Sequence, residues 1–265
     1  MLNKEKSSIF SKIIIVLTLI FLYIPIITMM AFSFNEKRSL SVWGGFSFKW
    51  YQKLFAGRQI VEVVLNTITI AVLATIIAVI IGTITAIGLS KTNKVLKNII
   101  LNISDLPMLN PDIVTAIGLM LLFSSFAIPK GFITVLLAHI IFCIPYVILS
   151  ILPKLRSLDD NLIDAALDLG ATPMQALFKV ILPQLKSSII AGALIAFTMS
   201  FDDYVISYFV TGNGFKNISI LVSTMGRRTN PSVNALSTIF VLVILLGLTL
   251  YNLIPLLSSK RKDKK

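Results

Sequence analysis

Two adjacent carboxylates, Asp202 and Asp203, stand in the stretch SFDDYVISYFVTGNG from Ser200 to Gly214, inside an otherwise apolar run. An Asp at the centre of a bilayer costs about 2.5 to 3.5 kcal/mol, so such a pair requires a cation, a water-filled cavity or a place near the interface. If the stretch is one continuous helix, successive residues turn by about 100° and the two carboxylates diverge. Ser200, Asp203, Tyr204, Ser207, Tyr208 and Thr211 then share one polar stripe, whereas Asp202 falls with Thr198, Val205, Ile206 and Phe209. The spacing predicts that Asp203 faces an aqueous path, with the rings of Tyr204 and Tyr208 available for cation–π contact. Asp202 is then a structural hydrogen-bond partner or a second arm of the same site. The alternative reading of the stripe is a polar seam between two helices.

A second interruption, Asn110-Pro111-Asp112, has the pattern of a helix start, with Asn110 as N-cap, Pro111 at the first helical position and Asp112 in the first turn. Pro107 is expected to end whatever precedes it. Irregular backbone at membrane depth needs protein or water to satisfy it, which puts Asp105 and Asp112 near an interface or a cavity. They are interfacial caps or part of a pathway. His139 is expected to be satisfied by a neighbouring backbone or hydroxyl group, and Pro145 to kink its helix. The single cysteine, Cys143, sits in an apolar run and fits a small core residue. There is no nucleotide-binding GxxxxGK[ST] motif, no nucleophile with a partnered base and no cluster at metal-ligand spacing. The chain is expected to be no enzyme and to hold no metal or cofactor of its own.

The elements that carry these residues are membrane spans. With 265 residues, 56% hydrophobic content and a mean hydropathy of +0.89, the chain is too apolar for a soluble domain. Spans of roughly 20 apolar residues fall at about 12 to 33, 63 to 90, 99 to 126, 131 to 153, 187 to 211 and 233 to 257. The first is expected to be an uncleaved span, not a signal peptide. The expectation is an all-α, polytopic, six-span protein forming a single membrane domain over residues 1–265.

Basic residues accumulate on the cytoplasmic side. With both termini inside, Lys4, Lys6, Lys12, Lys91, Lys94, Lys97, Lys154, Arg156, Lys179, Lys186 and the tail Lys260, Arg261, Lys262, Lys264 and Lys265 are cytoplasmic, fifteen of the 24 basic residues. The net charge of +12 therefore reads as topology and anionic lipid contact rather than nucleic-acid binding. In the outer loop, Phe46, Phe48, Trp50, Tyr51, Leu54 and Phe55 predict a short interfacial helix before the second span.

One cytoplasmic loop, residues 158–183, is polar enough to fold on its own pattern. Ser157 as N-cap, with Asp159 and Asp160 in the first turn, predicts a helix from about Leu158 to Leu169. Gly170 can turn left-handed at its end, Thr172-Pro173 restarts a helix, and Pro183 closes the unit. Met174, Leu177, Phe178 and Ile181 then share one face. A pair this short cannot bury its own stripes. Its cover is this protein's own spans or another protein.

This loop resembles that of the permeases of ATP-binding cassette importers (MetI-like), whose pattern is EAA, three residues, Gly, nine residues and I-x-L-P. Asp164-Ala165-Ala166, Gly170, Val180, Leu182 and Pro183 fall at the matching spacing, with Asp for Glu and Val for Ile. The segments Pro111 to Leu119, Ala138 to Val147, Ser200 to Gly212 and Asn230 to Ile239 further resemble the polyamine permeases of that family. The resemblance implies an inner-membrane subunit that forms half of a pore for spermidine or putrescine. It implies a second permease of similar fold, two cytoplasmic ATPase subunits carrying ATP and Mg, and an extracytoplasmic polyamine-binding protein. Asp164, Ala165, Ala166, Asp168, Gly170, Leu182 and Pro183 would couple to the ATPase; Ser200, Asp202, Asp203, Tyr204, Ser207, Tyr208 and Asp112 would line the path. The rivals are a same-family permease for putrescine only or another cationic solute, and a free-standing channel or proton-coupled transporter using Asp202 and Asp203 as a relay.

Overall fold

The computed structural model describes residues 9–39, 41–90, 92–159, 161–212, 214–226 and 231–262. Lys4, Lys6, Lys91, Asp160, Lys264 and Lys265 lie outside them, as do the side chains of Asp105, Lys260, Arg261 and Lys262. The described chain is almost wholly helical, and it forms two compact units, one from Met1–Val61 with Val222–Lys265 and one from Glu62–Leu221.

In the first unit, α1 (Ile9–Phe32) leads to a compact turn and then α2 (Lys49–Ala56). Asn35 organises the turn: its side chain donates to the carbonyls of Ser39 and Val42 at 3.0 and 2.9 Å and accepts from Gly44 N–H at 2.7 Å. Its own carbonyl accepts from the Trp50 indole at 2.6 Å. Phe34, Phe46, Phe48 and Tyr51 stack around this knot with centroids 5.1 to 6.1 Å apart. The aromatic run thus forms the short helix expected of it, with Trp50 and Leu54 buried. Lys49 and Lys53 extend over the Trp50 ring.

The second unit carries the chemistry. It is built on α3 (Arg58–Ser90) from Glu62 onward, α4 (Lys94–Leu109), α5 (Asp112–Ser125) and α6 (Phe132–Arg156). The loop of residues 158–183 follows with α7 (Leu162–Asp168), α8 (Pro173–Ala176) and a π-helical turn, Leu177–Ile181. Then come α9 (Leu182–Asp202), α10 (Val205–Val210) and, crossing into the first unit's sequence, α11 (Ile218–Gly226) and α12 (Pro231–Lys262). Among the described residues, four helices are long and apolar enough to cross a bilayer, namely Phe10–Phe32, Ile60–Ser90, Phe132–Arg156 and Pro173–Asp202, while Asp112–Ser125 and Pro231–Leu246 are shorter apolar stretches.

Helix α6 is the axis of this unit. Val135, Ala138, Phe142, Cys143, Val147 and Ile151 are buried along it against α3, α5, α9 and α10. Two glycines permit the close approach: a Cβ on Gly82 would lie 2.8 Å from the Val147 side chain, and one on Gly192 would lie 3.3 Å from the Val147 Cα. Cys143 is buried as expected, its thiol 3.4 Å from the Ala196 carbonyl. Neither Pro145 nor Pro153 interrupts α6.

Three sequence expectations are corrected. The third span is broken at Asn110-Pro111-Asp112 as expected, but α4 runs through Pro107 instead of ending there, and Pro111, not Asn110, is the N-cap of α5. Pro183 does not close a unit, because the helix continues from Pro173 through it to Asp202. The π turn explains this. Leu182 N–H bonds to Leu177 carbonyl, five residues back, so the ladder is already widened where the proline ring would otherwise meet a carbonyl. The fifth span, finally, is not one helix to Thr211, since α9 ends at Asp202 and Asp203 is extended with φ −64° and ψ 126°.

Candidate functional site

The break after Asp202 is built around a side-chain cap. Asp has a short acceptor side chain that competes with the backbone for N–H groups. The Asp203 carboxylate accepts from the N–H of Ile206 at 3.2 Å and of Ser207 at 2.8 Å. Those donors would otherwise bond to the carbonyls of Asp202 and Asp203 across the junction. The carboxylate thereby ends α9 and starts α10 in one residue.

Asp203 has a second set of partners. Its Oδ2 lies 3.3 Å from Nε2 of His139, and the carboxylate side chain is only 6% exposed. The wholly buried His139 ring also meets Ser200 Oγ at 2.7 Å through Nδ1 and Ser207 Oγ at 3.0 Å through Nε2. Asn217 donates to Ser207 Oγ at 2.7 Å, and Thr134 on α6 donates to the Val210 carbonyl at 2.8 Å. His139 is therefore satisfied by hydroxyls, as expected, with the carboxylate added.

The expected polar stripe is thus divided. Ser200, Asp203 and Ser207 face α6 and form the helix–helix seam that was the alternative reading, and Thr211 caps the Phe215 carbonyl at 2.6 Å. The helix on which the phase of Asp203 was counted is broken there, so Asp203 both meets α6 and lines the cavity beside the break. Asp202 is the exposed carboxylate of the pair. Tyr208 is 51% exposed, Tyr204 is half-buried, and their rings lie 5.6 Å apart.

A cavity of about 260 Å³ opens beside the break. Asp112, the first residue of α5, lines one side of it, and Thr198, Met199, Asp202, Asp203 and Tyr204 line the other. The break in α4–α5 and the break in α9–α10 meet at this one cavity, so its two exposed carboxylates, Asp112 and Asp202, come from two interrupted spans. Their charge and the Tyr204 ring suit an organic cation. Among the described residues, no group of three or more His, Cys, Asp or Glu is placed to hold a metal ion.

The loop of residues 158–183 folds around its second half. Thr172 and Gln175 form a reciprocal capping box: Thr172 Oγ1 accepts from Gln175 N–H at 3.3 Å and Gln175 Oε1 accepts from Thr172 N–H at 3.0 Å. Gly170 has φ +84°, and two bonds close around it, Gly170 N–H to Leu167 carbonyl at 2.8 Å and Ala171 N–H to Ala166 carbonyl at 3.0 Å. This pair of bonds is the Schellman C-cap. The start of the first helix is later than expected, at Leu162, because Ser157 is spent as the C-cap of α6, where its hydroxyl donates to the Lys154 carbonyl. The apolar face divides as well. Ile181 and Leu177 pack on this chain's own core, whereas Met174 and Phe178 are 63% and 59% exposed and Leu169 is 89% exposed. Asp164, Ala165 and Asp168 are exposed around them.

Residues 78–264 match the family model described as binding-protein-dependent transport system inner membrane component. The chain is 38% identical over 241 residues to the spermidine/putrescine transport system permease protein PotC of Haemophilus influenzae, covering 91% of this chain and 93% of that protein. It is 37% identical to the putrescine transport system permease protein PotI of Escherichia coli K12, over 86% of this chain and 84% of that protein. Escherichia coli K12 PotC is 36% identical over 85% and 86% of the two chains. Among solved structures, a bacterial ABC transporter involved in import of the acidic polysaccharide alginate superposes with a TM-score of 0.67 at 17% identity, over 89% of this chain and 90% of that one. An amino acid ABC transporter superposes at 0.55 and 20% identity, over 78% and 93%. These similarities establish the fold.

Proposed function

This chain belongs to the family of binding-protein-dependent transport system inner membrane components, and from that premise we propose that it conducts polyamines, spermidine or putrescine, as one half of an ATP-driven importer. It is a transporter component and catalyses no chemical step. The observation that carries the solute assignment is the cavity where Asp112 and Asp202, both exposed, come together from two broken spans beside Tyr204. A linear polycation needs spaced carboxylates and aromatic faces rather than one deep charge. The family relatives named for spermidine and putrescine support this assignment.

Within this reading, Asp202 and Asp112 meet an ammonium group of the solute, with Tyr204 and Tyr208 along its course. Asp203, Ser200 and Ser207 belong to the wall that shapes the path. The exposed patch of Leu169, Met174 and Phe178, flanked by Asp164 and Asp168, is the surface that docks on an ATPase subunit. Its left-handed Gly170 and its capping box make it stiff enough to transmit a push. Because the helix runs unbroken from Pro173 to Asp202, a displacement at the loop reaches the cavity directly.

Family membership implies a binding protein, an ATPase and a partner permease. In the finer form, a second permease of similar fold completes the pore, two cytoplasmic ATPases bind ATP and Mg, and an extracytoplasmic polyamine-binding protein delivers the solute. Both termini and the loop of residues 158–183 are cytoplasmic in this arrangement, as the distribution of lysine and arginine supports. The test is uptake by the complex reconstituted in proteoliposomes: ATP-dependent accumulation of labelled spermidine or putrescine supports the reading, and accumulation that needs no ATPase subunit overturns it.

A further inference from the structure

His139 does more than fill a polar gap in the core. Its one ring touches three residues that lie on different sides of the helix break: Ser200 in the last turn of α9, Asp203 in the break itself, and Ser207 in α10. We propose that His139 is the positioning residue of the transport path, a splint that holds α9 and α10 at a fixed offset so that Asp202 and Tyr204 face Asp112 across the cavity. The inference rests on the permease reading above but concerns the geometry of the break, whichever cation is carried.

The hydrogen-bond inventory supports the assignment. An ionised carboxylate only accepts, so the ring presents Nε2–H toward Asp203 and Ser207, and in the neutral ring Nδ1 accepts from the Ser200 hydroxyl. Asn217 fixes Ser207 from the far side, and its own Oδ1 accepts from Ile220 N–H at 3.0 Å, so the position of α10 is tied to α11 as well. Thr134 adds a second link from α6 to the end of α10. The ring's three polar contacts, to Ser200, Asp203 and Ser207, go to the break or its flanks. With no proline or glycine at the break, the backbone there is free to return to a continuous helix once the carboxylate loses its orienting partner. A ring lost from this position therefore changes where Tyr204 points before it changes whether the bundle folds.

The test uses the whole transporter complex with Cys143→Ala as background and single reporter cysteines, Tyr204→Cys in the break and Thr198→Cys on unbroken α9. The rate of labelling by a small methanethiosulfonate reagent is read at each. His139→Leu is expected to raise the rate at the Tyr204 reporter at least fivefold and to leave the Thr198 reporter within twofold. His139→Gln, which keeps a donor toward Asp203, is expected to stay within twofold at both. Ser207→Ala, a smaller change if His139→Leu gives no complex, is expected to raise the Tyr204 rate about threefold. Unchanged labelling at Tyr204 in both His139→Leu and Ser207→Ala overturns the inference, as does an equal rise at Thr198, which would mean general loosening. If the complex carries no polyamine yet shows the expected labelling pattern, the positioning role stands and only the solute assignment falls.

Discussion

Nε2 of His139 and Oδ2 of Asp203 lie 3.3 Å apart, and through that contact a buried ring on α6 reaches the residue that breaks the fifth span. The two adjacent carboxylates are set differently: Asp203 is held against α6 at the edge of the cavity, and Asp202 is exposed to it.

Asp202→Asn is accordingly expected to reduce polyamine uptake about tenfold while the purified complex keeps its thermal stability to within about 0.5 kcal/mol, as a surface substitution should. Asp203→Asn is expected to lower stability by about 1 to 3 kcal/mol, since it weakens a buried charge-assisted network. Uptake kinetics and thermal unfolding, measured on the same preparations, check the split. The opposite order would return Asp203 to the path.

Gly170→Val puts a β-branched residue at φ +84°, a conformation costing such a side chain on the order of 1–3 kcal/mol. Nothing lies within 4 Å of a Cβ there, so the strain is in the backbone alone. Uncoupling is expected: ATP-dependent uptake falls several-fold, with the circular dichroism of the spans unchanged. Full uptake would show that the turn carries no force.

Met174→Ser with Phe178→Ser removes the exposed part of the loop's apolar face and leaves Leu177 and Ile181 on the core. Co-purification of the ATPase is expected to drop at least tenfold, with normal membrane insertion. Retention of the ATPase would assign the patch to another neighbour.

Gly82→Ala places a methyl group 2.8 Å from Val147, and overpacking of this kind costs about 1–3 kcal/mol. Val147→Ala in the same chain is expected to recover most of that loss. Thermal unfolding of the single and double variants reads the coupling directly.

What was legible in the sequence follows from how local each cause is. The helix restart at Thr172-Pro173, the left-handed Gly170, the aromatic α2 and the interruption near Pro111 are each set by residues within a few positions. The break at Asp203 is not of that kind. Its signal was an Asp with amide donors three and four residues on, which could have suggested a cap. The choice between cap and continuous helix depends on His139, distant in the chain. Pro183 misled for a related reason: a proline normally closes a helix, but the π turn before it removes the clash, and no residue type marks that turn in advance. Ser157 could cap the helix on either side of it, and the longer α6 took it. The family resemblance was legible because it rests on spacing in one loop and on segments spread over the chain.

The most direct test of the central claim is uptake of labelled spermidine and putrescine by the complete complex, purified through a tag on this chain and reconstituted with ATP inside the vesicles. The account requires accumulation that depends on ATP and is lost about tenfold in Asp202→Asn with the complex intact. Full uptake by that variant, or no stimulation by either polyamine, would contradict it.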